Sequence, residues 1–191
     1  METSTSGGTL RLRADARRNR EKLLTAAAAA FAESGTDASL EAIAKRAGVG
    51  IGTLYRHFPT REALVEAAYR NELDRLTGSA DQLLAELTPD AALAEWMDRF
   101  VTYAAAKRGM KSALNAIVAS GSDLFVGARR QQLEAIGALL DAGVAAGTIR
   151  SDVDADDVLR AMGAVWQVDD PEQARKLLRL LMDGLRHGAS A

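Results

Sequence analysis

Residues 49–58 read VGIGTLYRHF, and Pro59 closes the stretch. Two glycines, Gly50 and Gly52, open a segment that ends in Tyr55, Arg56 and His57. Glycine costs a helix about 1 kcal/mol relative to alanine, so two of them at a helix start need a reason. The preceding residues are helix-like. Ser39 is a suitable N-cap, Glu41 stands in the first turn where the helix dipole favours an acid, and Leu40, Ile43, Ala44 and Ala47 form an inner face. Gly48 suits the position just past a helix end, where φ turns positive. A helix at 39–47, a turn at 48–50 and a second short helix at 51–58 make a helix-turn-helix. The small residues Ala44, Gly48 and Gly52 let its helices approach, while Val49 and Leu54 turn inward with Phe31 and Phe58. Gly50 and Gly52 also bring the backbone near something outside the protein. A helix N-terminus offers free N–H groups and partial positive charge, which suits a phosphate. Tyr55, His57 and Arg61 stand beside it as hydrogen-bond donors.

Working outward, Asp15 is a candidate N-cap for a first helix over 15–34, with Leu23, Leu24, Ala27 and Phe31 as its apolar stripe and Gly35 as its stop. Thr60 caps a long helix that reaches Thr77. Further helices are expected from Pro89 to Lys107, Met110 to Ser120, Ser122 to Gly147, Asp154 to Trp166 and Pro171 to His187. Neither an internal repeat nor strand-like alternation is present. The expected fold is all-α with about nine helices. The expected domains are a tail at 1–10, a three-helix helix-turn-helix domain at 11–60 and a C-terminal helical bundle at 61–187.

Composition sets bounds. A chain of 191 residues with 48% hydrophobic and 26% charged residues has the make-up of a soluble globular protein with a substantial core. There is no cysteine, so neither disulfides nor thiolate chemistry enters, in keeping with a reducing cytoplasm. The N-terminal residues lack the apolar core of a signal segment, and Met1–Gly8 reads as a solvated tail. The longest apolar run, Ala26–Ala32, falls far short of the roughly 20 residues of a membrane span. The formal charge of −2 hides an asymmetry. Residues 1–60 hold nine Lys/Arg against six Asp/Glu, so an acidic remainder follows a basic third that suits a polyanion.

The run SLEAIAKRAGVGIGTLYRHFPTREALVEA at 39–67, preceded by AAAAAFAESG, resembles the DNA-binding domain of the TetR family of bacterial transcriptional repressors. The resemblance covers about residues 15–70. It implies a homodimer with one helix-turn-helix per protomer, a palindromic operator, and release of the DNA when a small-molecule effector binds the second domain. Carried over by position, Gly50, Gly52 and Thr53 face DNA, Tyr55, His57 and Arg61 meet phosphates, and Ser39 caps the second helix and touches the backbone. Arg56 is the one long hydrogen-bonding side chain of the recognition helix. It either reads a base, where an Arg fork on guanine is worth about 1–3 kcal/mol of discrimination, or meets a phosphate or an acid of its own chain. Arg11 and Arg13 are placed to reach a minor groove as an arm. Many family members carry a Ser-Lys pair where this chain has Gly50-Ile51, and a Thr where it has Leu40, so those contacts differ here.

The resemblance places an effector cavity among the central helices. Its candidate lining is Trp96, Met97, Phe100, Tyr103, Met110, Leu114, Ile117, Phe125 and Trp166, which suits an apolar or amphipathic effector. Val158, Met162, Val165, Leu177, Leu181 and Leu185 on the last two helices are the candidate dimer interface. GVGIG at 48–52 lacks the preceding strand of a dinucleotide loop and does not have the third glycine at the spacing that loop needs. The acids at 152–157 lack the glycine and closing glutamate of a calcium loop. His57 and His187 stand in different domains, so no metal or cofactor is expected. The expected function is a ligand-responsive DNA-binding repressor in the cytoplasm and not an enzyme. The rival readings are a ligand-independent DNA-binding protein and a helical-bundle enzyme.

Overall fold

A computed structural model of the chain describes residues 5–188, with side chains described from residue 14 onward. Its helices are α1 (Thr5–Ser34), α2 (Leu40–Arg46), α3 (Ile51–His57), α4 (Arg61–Thr77), α5 (Ser79–Glu86), α6 (Pro89–Gly109), α7 (Lys111–Ala119), α8 (Leu124–Ala145), α9 (Ala155–Met162) and α10 (Pro171–Arg186). Two 3-10 turns, Gly35–Asp37 and Gly163–Gln167, complete the set, and no strand occurs among the described residues. The fold is all-α, as the periodicity requires. Residues 5–10, assigned to the tail from composition, carry helical backbone. Asp15 therefore lies inside α1 instead of capping it, and it pairs with Arg18 one turn on. The stretch after Thr77 forms α5, because Gly78 breaks the run and Thr77 and Ser79 turn their hydroxyls onto the carbonyls of Leu73 and Leu76 at 3.0 and 2.7 Å.

The chain divides into two compact units. The first comprises the residues up to Asn71 together with Gly109–Ile117, and the second comprises Glu72–Arg108 and the residues from Val118 on. The unit boundary falls within α4, at the end of α6 and within α7.

The first unit is built on fully covered Leu23, Ala27 and Phe31 of α1, Ile43 of α2, Leu54 of α3 and Leu64, Val65 and Ala68 of α4. Met110 and Leu114 belong to the same unit and are equally covered. Caps fix the short helices. Ser39 Oγ accepts from the Ala42 amide at 3.0 Å, an N-cap worth about 1 kcal/mol. Thr60 Oγ1 accepts from the Ala63 amide at 3.1 Å, and Gly48 takes φ +69° just past α2.

In the second unit, Leu93, Trp96, Met97, Phe100 and Tyr103 of α6 are buried, as are Ile136 and Leu139 of α8 and Val158 and Met162 of α9. Trp96 Nε1 donates to the Leu76 carbonyl at 2.9 Å, so the indole is satisfied inside the core. The acids at 152–157 are structural. Asp154 and Asp157 close a capping box at the start of α9. Asp152 pairs with Arg150, and Asp156 pairs with Arg129 and Arg160.

Candidate nucleic-acid interface

Helix α3 is buried along one line and open along the rest. Leu54 is fully covered and Phe58 nearly so, and these two residues hold α3 to α1 and α2. Tyr55 is 46% exposed, Arg56 is exposed and Ile51 is 37% exposed, so two donors and an apolar side chain face outward from one short helix. Thr53 and His57 are half-buried, and the His57 ring lies 6.2 Å from that of Phe58. Arg56 makes no ion pair among the described residues, which leaves its five donors for something outside.

The glycines resolve by geometry. A methyl added at Gly50 or at Gly52 would meet nothing within 4 Å, and neither residue has a positive φ. The expectation that Gly52 serves the packing of α2 on α3 is therefore corrected. Ala44 is buried at 2% exposure, while Gly50 and Gly52 are exposed and leave bare backbone on the outer face. Neither internal packing nor backbone strain explains these two glycines.

Arg61 is placed differently from the other candidates. Its Nη1 donates to the Thr36 and Ala38 carbonyls, both at 2.8 Å, from a part-buried position. It ties the start of α4 to the segment that leads from α1 into α2, which makes it a positioning residue for the helix-turn-helix. Arg46 is likewise engaged. Its Nη1 donates to both carboxylate oxygens of Glu33 at 2.9 and 2.8 Å, and that bond holds the Glu33 carboxyl below its usual range. Arg11 and Arg13 lie outside the residues whose side chains are described.

A contact that sequence reasoning did not single out reaches the same segment. Gly109 ends α6 inside the first unit, and a methyl on it would stand 1.9 Å from the Phe31 carbonyl oxygen. Ser112 and Thr36 hydroxyls meet at 3.3 Å. The 35–38 segment is thus held by Arg61 from α4 and by Ser112 from α7. The only signal in the sequence was a glycine between two helical patterns, which marks a helix end but not what that end touches.

The candidate effector lining is divided between the two units. Met110, Leu114 and Ile117 belong to the first unit, whereas Trp96, Met97, Phe100, Tyr103, Phe125 and Trp166 belong to the second. Within the second unit the rings of Phe100, Tyr103 and Trp166 form a cluster with centroids 5.1–5.8 Å apart. The candidate dimer residues also divide. Val158, Met162, Val165 and Leu185 are at most 3% exposed within their own chain, so they are core residues with no face to offer a partner. Leu177 and Leu181 are half-buried, and Leu180, outside the candidate interface set, is 61% exposed.

Among the described residues no three His, Cys, Asp or Glu side chains gather as a metal site, and no helix is long and apolar enough to cross a membrane.

Comparison with known proteins places the chain among bacterial transcriptional regulators. Residues 23–68 match the family model for bacterial regulatory proteins of the tetR family. Residues 88–187 match the C-terminal domain of SbtR-like transcriptional regulators. A solved TetR transcriptional regulator of Streptomyces coelicolor is 53% identical, with a TM-score of 0.82 over 87% of this chain and 98% of that one. A TetR regulatory protein of Mycobacterium vanbaalenii is 40% identical, with a TM-score of 0.73 over 92% of this chain and 99% of that one. The repressor KstR2 of Rhodococcus jostii is 27% identical over 87% of this chain and 90% of its own length. The match to the repressor KstR of Mycolicibacterium smegmatis is 37% identical but spans only 38% of this chain and 37% of that repressor. The chain belongs to the TetR family of bacterial transcriptional regulators, as a DNA-binding regulator of the helix-turn-helix type.

Proposed function

We propose that the protein is a repressor that binds a palindromic operator as a homodimer and leaves it when a small effector occupies the second unit. The observation that carries this reading is the outer face of α3, where bare backbone at Gly50 and Gly52 lies beside exposed Tyr55 and Arg56. Phosphate contacts from Tyr55 and His57 set the register, and Arg56 reads a base edge. Release requires that the effector bind the DNA-competent and DNA-incompetent states unequally. Two chain segments are suited to carry the change. Helix α4 is continuous from Arg61 to Thr77 through the unit boundary, and α6 ends at Gly109 against Phe31. Movement of either acts on the 35–38 segment that leads into α2. It thereby alters the spacing of the two recognition helices, which must fit half-sites about 34–36 Å apart.

The dimer is assigned to the outer stripe of α10, with Leu177, Leu180 and Leu181, continued by Val144 on α8. The Arg150 amide donates to the Leu185 carbonyl at 2.9 Å, which holds the turn after α8 against the end of α10. Leu180→Glu places a charge on the most exposed leucine and leaves the buried face of α10 (Ala174, Leu178, Met182) untouched. Light scattering should give a dimer for the parent chain and a folded monomer for the variant. The variant should also lose at least tenfold in affinity for the DNA fragment that the parent retains best from sheared genomic DNA. A variant that stays dimeric, or a monomeric one that binds with parental affinity, rejects the assignment.

A further inference from the structure

The buried line of α1 ends in a cation. Phe31, Ala27 and Leu24 are covered, at 1% exposure or less, and exposed Arg20 stands four residues before Leu24 on the same side of the helix. The Arg20 guanidinium carbon lies 5.4 Å from the centroid of the Phe58 ring. Phe58 is the residue that closes α3, and it is 3% exposed. Its amide donates to the Leu54 carbonyl at 2.8 Å, and the His57 ring lies 6.2 Å from its own. Arg20 and His57 are thus neighbours of one fixed ring.

Arg20 differs from the other described cations on this part of α1. Arg18 pairs with Asp15, and Arg17 faces Glu21 at 3.7 Å. Lys22 lines a groove with Thr25, Arg46 and Ala47, so it turns toward the end of α2. Arg20 makes neither a hydrogen bond nor an ion pair among the described residues, and it is seated at α3. The ring attracts the guanidinium as a cation, yet no oxygen of the chain answers its five N–H donors. An uncharged side chain would cover Phe58 equally well.

The position selects the acceptor. DNA presents a phosphate about every 3.4 Å of axis on each strand. A strand that meets Tyr55 and His57 therefore carries further phosphates past the Phe58 ring. The planar fork of an arginine matches two phosphate oxygens, and a side chain already held against a ring has less freedom to lose on binding. We propose that Arg20 contacts a DNA phosphate from its seat on Phe58 and so adds α1 to the interface at α3. This rests on the α3 interface proposed above and extends it to a second helix.

The test measures binding of the full chain, over a salt series, to the genomic DNA fragment that the parent retains best. Arg20→Gln should weaken binding at least fivefold near 0.1 M salt. It should also lower the slope of log affinity against log salt by about 0.9 for each bound protomer. Arg20→Lys should keep the parental slope. Arg20→Gln should retain the same sequences as the parent, because phosphate contacts carry no base information. Without DNA it should melt within about 4 °C of the parent, since an exposed cation–ring contact is weak. Parental affinity and slope in Arg20→Gln, or a lowered slope in Arg20→Lys, would overturn the proposal. So would weaker binding at the parental slope with a larger loss in melting, which marks a contact that only supports Phe58. A Tyr55→Phe/His57→Ala chain run beside these separates the two claims. If that chain loses binding and Arg20→Gln does not, the role of Arg20 alone is rejected. If that chain binds like the parent, the α3 interface is rejected and the proposal with it.

Discussion

Gly109→Ala should lower the melting midpoint of the full chain by about 6–12 °C, the shift expected for about 3 kcal/mol in a chain of this size. The new methyl would lie 1.9 Å from the Phe31 carbonyl oxygen, 2.5 Å from its carbon and 3.1 Å from the Ala32 Cα. All three are backbone atoms of α1, so no side-chain rotation relieves the clash. The end of α6 and the end of α1 must separate, and Phe31, fully covered, must shift with them. Gly52→Ala is the matching control. Its methyl meets nothing within 4 Å, and helix propensity favours alanine by about 1 kcal/mol. The free protein should melt at the parental temperature or above, while operator affinity falls, because the methyl stands where the proposed interface brings DNA backbone close. A Gly109→Ala chain that melts like its parent would remove the α6–α1 contact from the account. A Gly52→Ala chain that binds DNA with parental affinity would remove the close approach at α3.

Arg61→Met should cost the DNA-free protein about 2–4 kcal/mol. The variant keeps the length of the side chain but loses both bonds to the Thr36 and Ala38 carbonyls, and hydrogen bonds to a charged group contribute about 1.5–3 kcal/mol each. The melting midpoint should drop by about 4–16 °C. A residue whose task is a phosphate contact gives the opposite pattern, with unchanged stability in the absence of DNA and a salt dependence of binding reduced by about one charge. The positioning role predicts weaker operator binding with the slope of log affinity against log salt unchanged. Parental melting with a reduced slope would return Arg61 to the phosphate-contacting set.

The reading head was legible because its signals are local. Ser39, Gly48 and Thr60 cap and terminate short helices through groups within a few residues of each other, and the structure shows those caps in place. Leu54 and Phe58 are four residues apart and mark the buried line of α3 without further information. What failed depended on distant partners. Periodicity shows that Val158, Met162 and Leu185 lie on apolar faces, but not whether the same chain or a second copy covers them. The structure assigns them to their own core. Periodicity likewise does not show that Met110 and Leu114 are buried in the first unit and the aromatic residues of α6 in the second. Arg61 looked like a free cation because the carbonyls it binds lie 25 and 23 residues earlier in the chain.

The most direct test of sequence-specific reading by α3 is capture of sheared genomic DNA by the purified chain, with sequencing of the retained fragments. A Tyr55→Phe/His57→Ala chain is run beside it. The account predicts enrichment of one or a few palindromes whose half-site centres lie about one helical turn apart or a multiple of it, with the enrichment lost in the double variant. Even retention of all fragments, falling uniformly as salt rises and unchanged in the double variant, would contradict it.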